Sequence, residues 1–170
     1  MKSIAGISIA FAAAFAICCG ASLARAGAAD DAEIKALEAR FAKALEAKDV
    51  DAIMANYVTG DSLFVFDLVP PRQYVGSEAY KKDWQEFLAG CTGPVKVELS
   101  DLSVISDVKL AYGHSIQRVT CSTSDGTKRD LTLRVSDGYE KRDGKWLIAH
   151  EHISVPVDLA TGKADLSSKP

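Results

Sequence analysis

The sequence contains few of the side chains from which metal centres and nucleophilic active sites are usually built. Its 170 residues include only three histidines and four cysteines, and no two cysteines have the CxxC spacing of a zinc or redox site. The GxSxG motif of serine hydrolases and the glycine-rich loops that bind phosphate groups are both missing. We therefore expect no metal site, no bound cofactor and no covalent catalysis by serine or cysteine.

An excess of basic charge is also missing. The chain has 20 Lys and Arg residues against 23 Asp and Glu residues. Removal of residues 1–26 would take away Lys2 and Arg25 but no acid, which leaves 18 basic and 23 acidic side chains. Nucleic-acid phosphates require clustered Lys and Arg, and an acidic chain is not attracted to an anionic membrane surface. Neither nucleic acid nor a membrane is therefore an expected partner of the mature chain.

The first 26 residues have the features of a secretory signal peptide. Lys2 supplies a positive charge near the start, and an uncharged apolar run then extends to Leu23. Small-x-small triplets that end at Ala26 and Ala28 offer cleavage sites for a signal peptidase. A membrane anchor is the alternative, because the run approaches the length that spans a bilayer. We predict a signal peptide over residues 1–26 and a periplasmic or secreted mature protein.

Cys91 and Cys121 are the two cysteines beyond the predicted signal peptide. A hairpin turn at residues 106–108 would set the register of the strands beside it and place Cys121 opposite about Pro94. Cys91 lies slightly earlier, in a glycine-containing loop that can fold back. An oxidising compartment permits disulfides, so we predict a Cys91–Cys121 bond; the alternative is two free cysteines.

The mature chain begins with an amphipathic helix. Asp30 and Asp31 are suitable N-cap residues, and Glu38 belongs to the polar side of the pattern. Apolar residues recur at helical spacing on the other side: Ile34, Leu37, Phe41 and Leu45.

Two further helices are predicted before the chain changes character. Asp49 is placed to cap a short second helix, and Ser77 is placed to cap a third helix that Gly90 ends. The inward side of the third helix consists of Tyr80, Trp84, Phe87 and Leu88. Between these helices, a short β-rich segment leads to Pro70 and Pro71, where a central strand cannot continue.

From Pro94 onward, alternating apolar residues are separated by turn signals. Four strands are predicted, at about residues 95–106, 109–122, 129–141 and 145–156. Three helices followed by such a meander indicate an α+β fold, and a curved antiparallel sheet of this kind can wrap around the three N-terminal helices. We predict one domain over residues 27–157 and a loose C-terminal tail over residues 158–170.

Three stretches of the chain carry a family resemblance: residues 49–57, residues 74–79 and above all residues 143–154. In this order they resemble the SnoaL-like and ketosteroid-isomerase-like superfamily, which has the fold of nuclear transport factor two. The last stretch is similar to the closing strand of the association domain of the calcium/calmodulin-dependent kinase. The resemblance implies a cone with an internal pocket for a small molecule. It does not specify a reaction, because one fold hosts many functions.

Asp67 is the first candidate catalytic residue. By the resemblance, it falls where ketosteroid isomerase keeps its aspartate base, which moves a proton on a carbon acid. The partners that would stabilise the enolate correspond to Phe41 and approximately to Ser136, and a phenylalanine ring cannot donate a hydrogen bond. The steroid isomerase scheme is therefore not expected as it stands. The alternative role of Asp67 is to cap the turn that follows it.

Arg118 and Arg134 are candidate ligand-binding residues. The resemblance to the kinase association domain places them on strands whose arginines face the cavity. Two guanidinium groups in one cavity would bind an anionic ligand such as a carboxylate. The alternative is that they form structural ion pairs with Glu151, Asp130 or Asp67.

The His150-Glu151-His152 triplet places its residues on alternating faces of a strand. The resemblance assigns Glu151 to the cavity and the two histidines to the outer face of the sheet. Trp146 and Ile148 share the parity of the histidines, so the same alternation predicts that these four residues form a dimer surface.

Together these features predict an exported protein whose pocket binds a small molecule, with a homodimer as the expected assembly. The predicted site contains Asp67 as catalytic base and six ligand-binding residues: Arg118, Arg134, Glu151, Tyr112, Trp84 and Phe41. If the protein is an enzyme, we expect cofactor-free acid–base chemistry of the isomerase or hydratase type. The alternative is a non-catalytic dimerisation domain whose outer sheet face carries the interaction.

Overall fold

The computed structural model describes the backbone of residues 16–168 and the side chains of residues 27–168. Residues 1–15, which form most of the predicted signal peptide, lie outside this range. In the described part of the chain, no helix is both long enough and apolar enough to cross a bilayer. The helices are α1 (Ala16–Ala47), α2 (Val50–Met54) and α3 (Ser77–Ala89). The strands are β1 (Phe64–Phe66), β2 (Tyr74–Val75), β3 (Lys96–Ser106), β4 (Leu110–Ser122), β5 (Lys128–Arg142) and β6 (Lys145–Ser154).

Helix α1 passes through the position where the sequence predicts its first residue. Asp30 and Asp31 are therefore not N-caps, because the helix already runs from Ala16. Their carboxylates bind the sheet instead: Asp30 accepts a hydrogen bond from Trp146 Nε1 (3.0 Å), and Asp31 accepts one from Ser106 Oγ (2.6 Å). These bonds hold the part of α1 around Asp30 and Asp31 against the sheet.

The two shorter helices lie where they were predicted. Asp49 caps α2, since its Oδ1 accepts a hydrogen bond from Ala52 N at 3.0 Å. Helix α3 begins at Ser77 and stops at Gly90. Its N-cap is Gly76, whose φ of 89° suits a glycine, while the Ser77 hydroxyl accepts a bond from Gly60 N.

The six strands form one curved sheet in the order β2-β1-β6-β5-β4-β3. All neighbours are antiparallel except β1 and β6, which are parallel, with Phe64 opposite His150. The three helices pack on one face of this sheet, and the predicted α+β cone is confirmed. Its core joins apolar residues of the helices with those of the inner sheet face: Ile34, Leu37, Leu45, Ile53, Leu63, Val65, Val135 and Ile148. Burial of each such side chain contributes about 1.5–3 kcal/mol.

A β-bulge in β6 changes the alternation that the sequence suggests. Gly138 pairs with His150 and Tyr139 pairs with Ile148, so Ala149 is an extra residue between two pairs. A bulge of this kind reverses the face of every residue before it relative to those after it. Trp146 and Ile148 are therefore buried in the core, and the prediction that they share an outer surface with the histidines is wrong.

The C-terminal segment differs from the loose tail that was predicted. Residues 157 and 164 form a bridge, and Asp165 N donates to Pro156 O at 2.9 Å. Thr132 N on β5 then donates to Leu166 O at 2.8 Å. Residues 156–166 therefore form a hairpin that folds back against the sheet.

The predicted disulfide is present. Cys91 and Cys121 are bonded, with 5.6 Å between their Cα atoms. Thr92 N donates to Ser122 O at 2.8 Å, which holds the loop after α3 beside the end of β4. The loop thus folds back toward the hairpin as the predicted register required.

Candidate functional site

A cavity of about 540 Å³ lies between the helices and the inner face of the sheet. Its volume is within the range of small-molecule sites. Most of its wall is apolar, and the hairpin contributes Ala164 and Leu166. The main apolar wall residues come from α1, α3 and the sheet: Phe41, Leu45, Trp84, Phe87, Leu133 and Ile153. The predicted ligand-binding residues Phe41 and Trp84 thus line the pocket.

Glu151 faces this pocket from β6 and is 3% exposed. The Tyr80 hydroxyl donates a hydrogen bond to its Oε2 at 2.6 Å, and the Tyr57 hydroxyl donates to the same oxygen at 3.0 Å. Burial raises the pKa of Glu151 to about 8, although these hydrogen bonds oppose the rise. Burial therefore favours the protonated form of Glu151.

Asp67 lines the same pocket, just after β1. Its Oδ2 lies 3.3 Å from the Tyr80 hydroxyl, whose one proton can be donated to Asp67 or to Glu151, and its Oδ1 accepts a hydrogen bond from Val69 N at 3.2 Å. It therefore also caps the turn, which was the alternative role. Burial, followed by the charge of Asp83, raises the pKa of Asp67. Tyr80 joins Asp67 to Glu151, and these three residues are called the relay triad below.

The relay triad contains a hydrogen-bond donor. The family resemblance identified none, because it assigned the enolate-stabilising positions to Phe41 and approximately to Ser136. Phe41 is a wall residue, and Ser136 is on the outer face, since its neighbour Asp137 is the buried residue. Burial raises the pKa of Tyr80 well above its ordinary value, so its phenol keeps its proton.

A second group of polar residues lies deeper than the pocket wall. The Tyr139 hydroxyl donates to Glu38 Oε1 at 2.9 Å and approaches Asp137 Oδ2 at 3.4 Å. Glu38 and Asp137 are each 2% exposed. Burial raises the pKa of Glu38 to about 6 and that of Asp137 well above its ordinary value. Asp137 is the strand partner of Glu151, so the two groups are neighbours.

Three of the predicted ligand-binding residues are not in the pocket. Arg118, Arg134 and Tyr112 lie on the outer face of the sheet, because the odd-numbered residues of β4 and β5 face inward. Arg118 Nε and Nη2 bind Asp130 at 2.9 Å each, which was the alternative role for that arginine. The prediction that the two arginines form an anion-binding pocket is wrong.

The histidines of the His150-Glu151-His152 triplet lie on the outer face, as predicted. His150 Nδ1 is 2.8 Å from Phe64 O, and the ring of Phe66 packs against both His150 and His152. Among residues 27–168, no three His, Cys, Asp or Glu side chains are grouped in a way that could hold a metal ion.

Sequence reasoning missed four polar residues in or behind the pocket, Tyr57, Asp137, Glu38 and the wall residue Gln117, and it also missed Tyr80 as a hydrogen-bond donor. Tyr57 and Tyr80 occupy inward helical positions, where a buried phenol needs a hydrogen-bond partner; that need was a usable signal. Gln117 was missed because polar residues on the inner face of β4 made the outer face look like the buried one, and Asp137 was missed because Arg134, on the opposite face of β5, was assigned to the cavity.

Comparisons with known proteins agree with this geometry. Residues 34–158 match the family described as the SnoaL-like domain. A nuclear-transport-factor-two-like protein of unknown function from Pseudomonas putida KT2440 is 33% identical, with a TM-score of 0.75, and the match covers 84% of this chain and 98% of that one. A proposed calcium/calmodulin-dependent protein kinase association domain from Xanthomonas campestris is 26% identical, with a TM-score of 0.62 and coverage of 72% and 84%.

A proposed dehydratase from Streptomyces avermitilis has the same fold, with 12% identity, a TM-score of 0.67 and coverage of 75% of this chain and 97% of that one. At that identity the likeness concerns the fold alone. Among proteins with curated descriptions, none matches the chain.

Proposed function

The chain belongs to the SnoaL-like domain family, and from that membership and the geometry of its pocket we propose that it binds a small, largely apolar organic molecule and transfers a proton on it without a cofactor. The observation that carries this proposal is the relay triad, whose hydrogen bonds join Asp67 to Glu151 through Tyr80 beside an apolar cavity. A base and a proton donor held on either side of one phenol suit acid–base catalysis.

The proposed step begins with a carbon that carries a hydrogen next to a carbonyl group. Asp67 takes that proton, and the electron pair of the broken C–H bond forms the C=C bond of an enolate while the carbonyl oxygen gains negative charge. A hydrogen bond from the triad, donated by Glu151 or Tyr80, stabilises that oxygen. Where a C=C bond is conjugated with the enolate, return of the proton from Asp67 to the far carbon gives isomerisation. Where a hydroxyl group is on the β-carbon, the enolate expels it and the proton held by Asp67 converts it to water, which gives dehydration.

The charge of the pocket disfavours the anionic ligand that the sequence suggested. Its charged or ionisable wall residues include the acids Asp67, Asp83, Glu86 and Glu151 and the single base Arg129. A carboxylate brought among these groups would meet mainly like charges. We therefore propose a ligand that is not an acid.

Hydrogen exchange on a simple ketone tests the proton transfer directly. We expect the protein to speed the exchange of the α-hydrogens of 1-tetralone with D₂O, measured by ¹H NMR. The reason is that the relay triad lowers the barrier to formation of the enolate. Asp67→Asn should reduce the acceleration by about 10²–10⁴-fold, the usual contribution of a positioned base.

Asp101→Asn is the matched control, because it makes the same change at an exposed residue in β3. A D67N protein that exchanges 1-tetralone as fast as the D101N protein would refute the role of Asp67. A second outcome is that the wild-type protein binds 1-tetralone, as measured by a thermal shift, but does not speed the exchange. That result would show that the protein binds the ketone without catalysing proton transfer.

A second candidate function is an interaction through the outer face of the sheet. Phe66 is 38% exposed and Tyr112 is 51% exposed there, and large apolar groups on an open sheet face are typical of interfaces. We propose that the protein forms a homodimer through this face, and this assembly is compatible with a working pocket on the other face.

We also propose that the mature protein functions after export, in the periplasm or outside the cell. The Cys91–Cys121 bond supports this location, because disulfides persist in oxidising compartments. The apolar run that ends at Leu23 and the cleavage triplets after it supply the second support.

A further inference from the structure

The wall of the cavity contains a buried hydrogen-bond donor that has no acceptor. Trp84 lines the cavity and is 8% exposed, and its indole Nε1 has no hydrogen-bond partner. The other buried side-chain atom without a partner in residues 27–168 is Asp137 Oδ1, and Asp137 is not a wall residue. A buried donor without an acceptor costs free energy, so this wall favours a ligand that brings an acceptor.

The rings around Trp84 do not supply that acceptor. The centroid of its ring lies 5.6 Å from that of Phe41, 5.7 Å from that of Tyr80 and 5.9 Å from that of Phe87. The two phenylalanine side chains have no polar atom, and the Tyr80 hydroxyl belongs to the relay triad. Buried indole N–H groups usually find a partner, and this packing leaves that role to a molecule in the cavity.

A second donor group lies on the same part of the wall. Arg129 is half-buried and lines the cavity, and its guanidinium carbon lies 5.1 Å from the ring centroid of Phe87. None of the ion pairs formed within residues 27–168 includes Arg129. A guanidinium group has five N–H donors and no acceptor. The ring of Phe87 therefore packs against two donor groups, and neither of them is paired with a carboxylate.

We propose that the ligand carries, besides the carbonyl group that reacts at the relay triad, a second and uncharged oxygen that accepts a hydrogen bond from Trp84 Nε1. This inference rests on the function proposed above and narrows its substrates to ketones with a further ether, hydroxyl or carbonyl oxygen. Arg129 offers its donors to the same end of the ligand. The oxygen is uncharged because Asp83 and Glu86 also line the cavity and would repel an anion.

The two polar sites are close enough for one small ligand. Tyr80 and Trp84 are four residues apart in α3, so their side chains lie on the same face in successive turns. One turn advances about 5.4 Å along the helix axis, a distance that a bicyclic ketone spans. Trp84 therefore determines specificity, because it fixes which end of the ligand points to the relay triad, while Asp67 moves the proton.

Three derivatives of 1-tetralone test the proposal: 7-methoxy-1-tetralone, 7-ethyl-1-tetralone and 1-tetralone-7-carboxylate. The methoxy and ethyl groups are similar in size, but only the methoxy group has an acceptor atom. We expect the wild-type protein to bind the methoxy compound with a Kd about fivefold lower than that of the ethyl compound, because it pairs the free donor. The carboxylate should bind weakest of the three. Isothermal titration calorimetry measures these constants.

The indole N–H signals in ¹H–¹⁵N NMR spectra report the proposed bond directly. The sequence has two tryptophans, and Trp146 Nε1 already donates to Asp30 at 3.0 Å. The methoxy compound should move the Trp84 indole proton downfield, and the ethyl compound should not. The Trp146 signal should stay in place with both compounds.

Trp84→Phe is the test variant, and Trp146→Phe is the matched control, because it makes the same change at a tryptophan that does not line the cavity. Each variant lacks one of the two indole signals and so assigns them. W84F should bind the methoxy and ethyl compounds equally, and its binding of the ethyl compound shows that the pocket is folded. W146F should keep the preference for the methoxy compound.

Any of five outcomes would overturn the inference. The wild-type protein binds the ethyl compound as tightly as the methoxy compound, the carboxylate binds tightest, the Trp84 signal does not move, W84F keeps the preference, or none of the three compounds binds at millimolar concentration. The Trp84 signal of the wild-type protein decides the question even if W84F does not fold. Exchange of unsubstituted 1-tetralone involves no second oxygen, so Asp67-dependent exchange together with one of these outcomes would leave the proposed function standing.

Discussion

At the scale of single residues, the buried carboxyl groups link the pH of the solution to the stability of the fold. A glutamate whose folded pKa is raised keeps its proton in the folded state at pH values where the unfolded chain has released it. Stability is then highest below the ordinary pKa and falls as the pH rises toward the folded pKa. For Glu151 this window runs from 4.5 to about 8, and for Glu38 from 4.5 to about 6.

We therefore expect the free energy of unfolding to decrease as the pH rises from 5 to 8, by about 1.4 kcal/mol per pH unit for each proton retained. Urea unfolding followed by tryptophan fluorescence measures this slope. Glu151→Gln removes one titrating group, so the slope between pH 6 and 8 should become shallower. Glu98→Gln, at a side chain that is 71% exposed, should leave it unchanged, and equal slopes in both variants would show that Glu151 is not the group responsible.

Single residues also show where prediction from sequence stopped. Asp67 and Glu151 were identified because the resemblance fixed their strand positions. Glu38 was assigned to the polar side of α1, but its side chain is 2% exposed because the Tyr139 hydroxyl binds its Oε1 inside the cone. A helical pattern assigns charged residues to solvent, and it cannot show that a distant strand provides a buried partner.

At the scale of elements, the strand boundaries were predictable and the faces of the strands were not. Predicted and observed limits of the four long strands agree to within about two residues, since the turn residues mark their ends. The inner face of β4 carries Gly113, Ser115 and Gln117, while the outer face carries Tyr112 and Ile116. Alternation alone favours the apolar set of β4 as the buried one, whereas in the structure the set with Gly113, Ser115 and Gln117 faces the interior.

The disulfide gives a testable prediction for the stability of the joined elements. It closes a loop of 30 residues between the end of α3 and the end of β4. Such a closure contributes about 3–4 kcal/mol in the chain-entropy model. Reduction, or the double change Cys91→Ser and Cys121→Ser, should lower the unfolding free energy by about that amount in urea titrations.

Wild-type protein recovered from its host tests the proposed export. Protein recovered from the periplasm should begin near Gly27 or Ala29 and show no free thiol after denaturation without reductant, because Cys18 and Cys19 are removed with the signal peptide. An N-terminal sequence that starts at Met1, in a membrane fraction, would contradict export and cleavage.

At the scale of the whole molecule, the order of elements predicted an α+β fold, and the family resemblance supplied the cone. The outer face of its sheet exposes apolar side chains on three strands, among them Phe66 on β1, Ile105 on β3 and Tyr112 on β4; Ile105 and Tyr112 are strand partners. Two such faces would cover each other in a homodimer with twofold symmetry.

We expect sedimentation velocity at about 20 μM to show a dimer of the 18.2 kDa chain, less the mass of any cleaved signal peptide. Tyr112→Glu should shift it toward monomer, because a charge would be buried against its copy. Leu159→Glu is the control, since Leu159 is 95% exposed in the C-terminal hairpin. A wild-type monomer at this concentration would refute the dimer.

The parallel pairing of β1 with β6 affects how the chain is made. Phe64 lies opposite His150, 86 residues later. A ribosome that adds about 5–20 residues per second needs roughly 4 to 17 seconds to cover that distance. During this time the buried sides of α1 and β1 exist without the strand that completes their layer, and contacts so distant in sequence form slowly. For several seconds after β1 has been made, completion of this layer is therefore limited by the rate of synthesis.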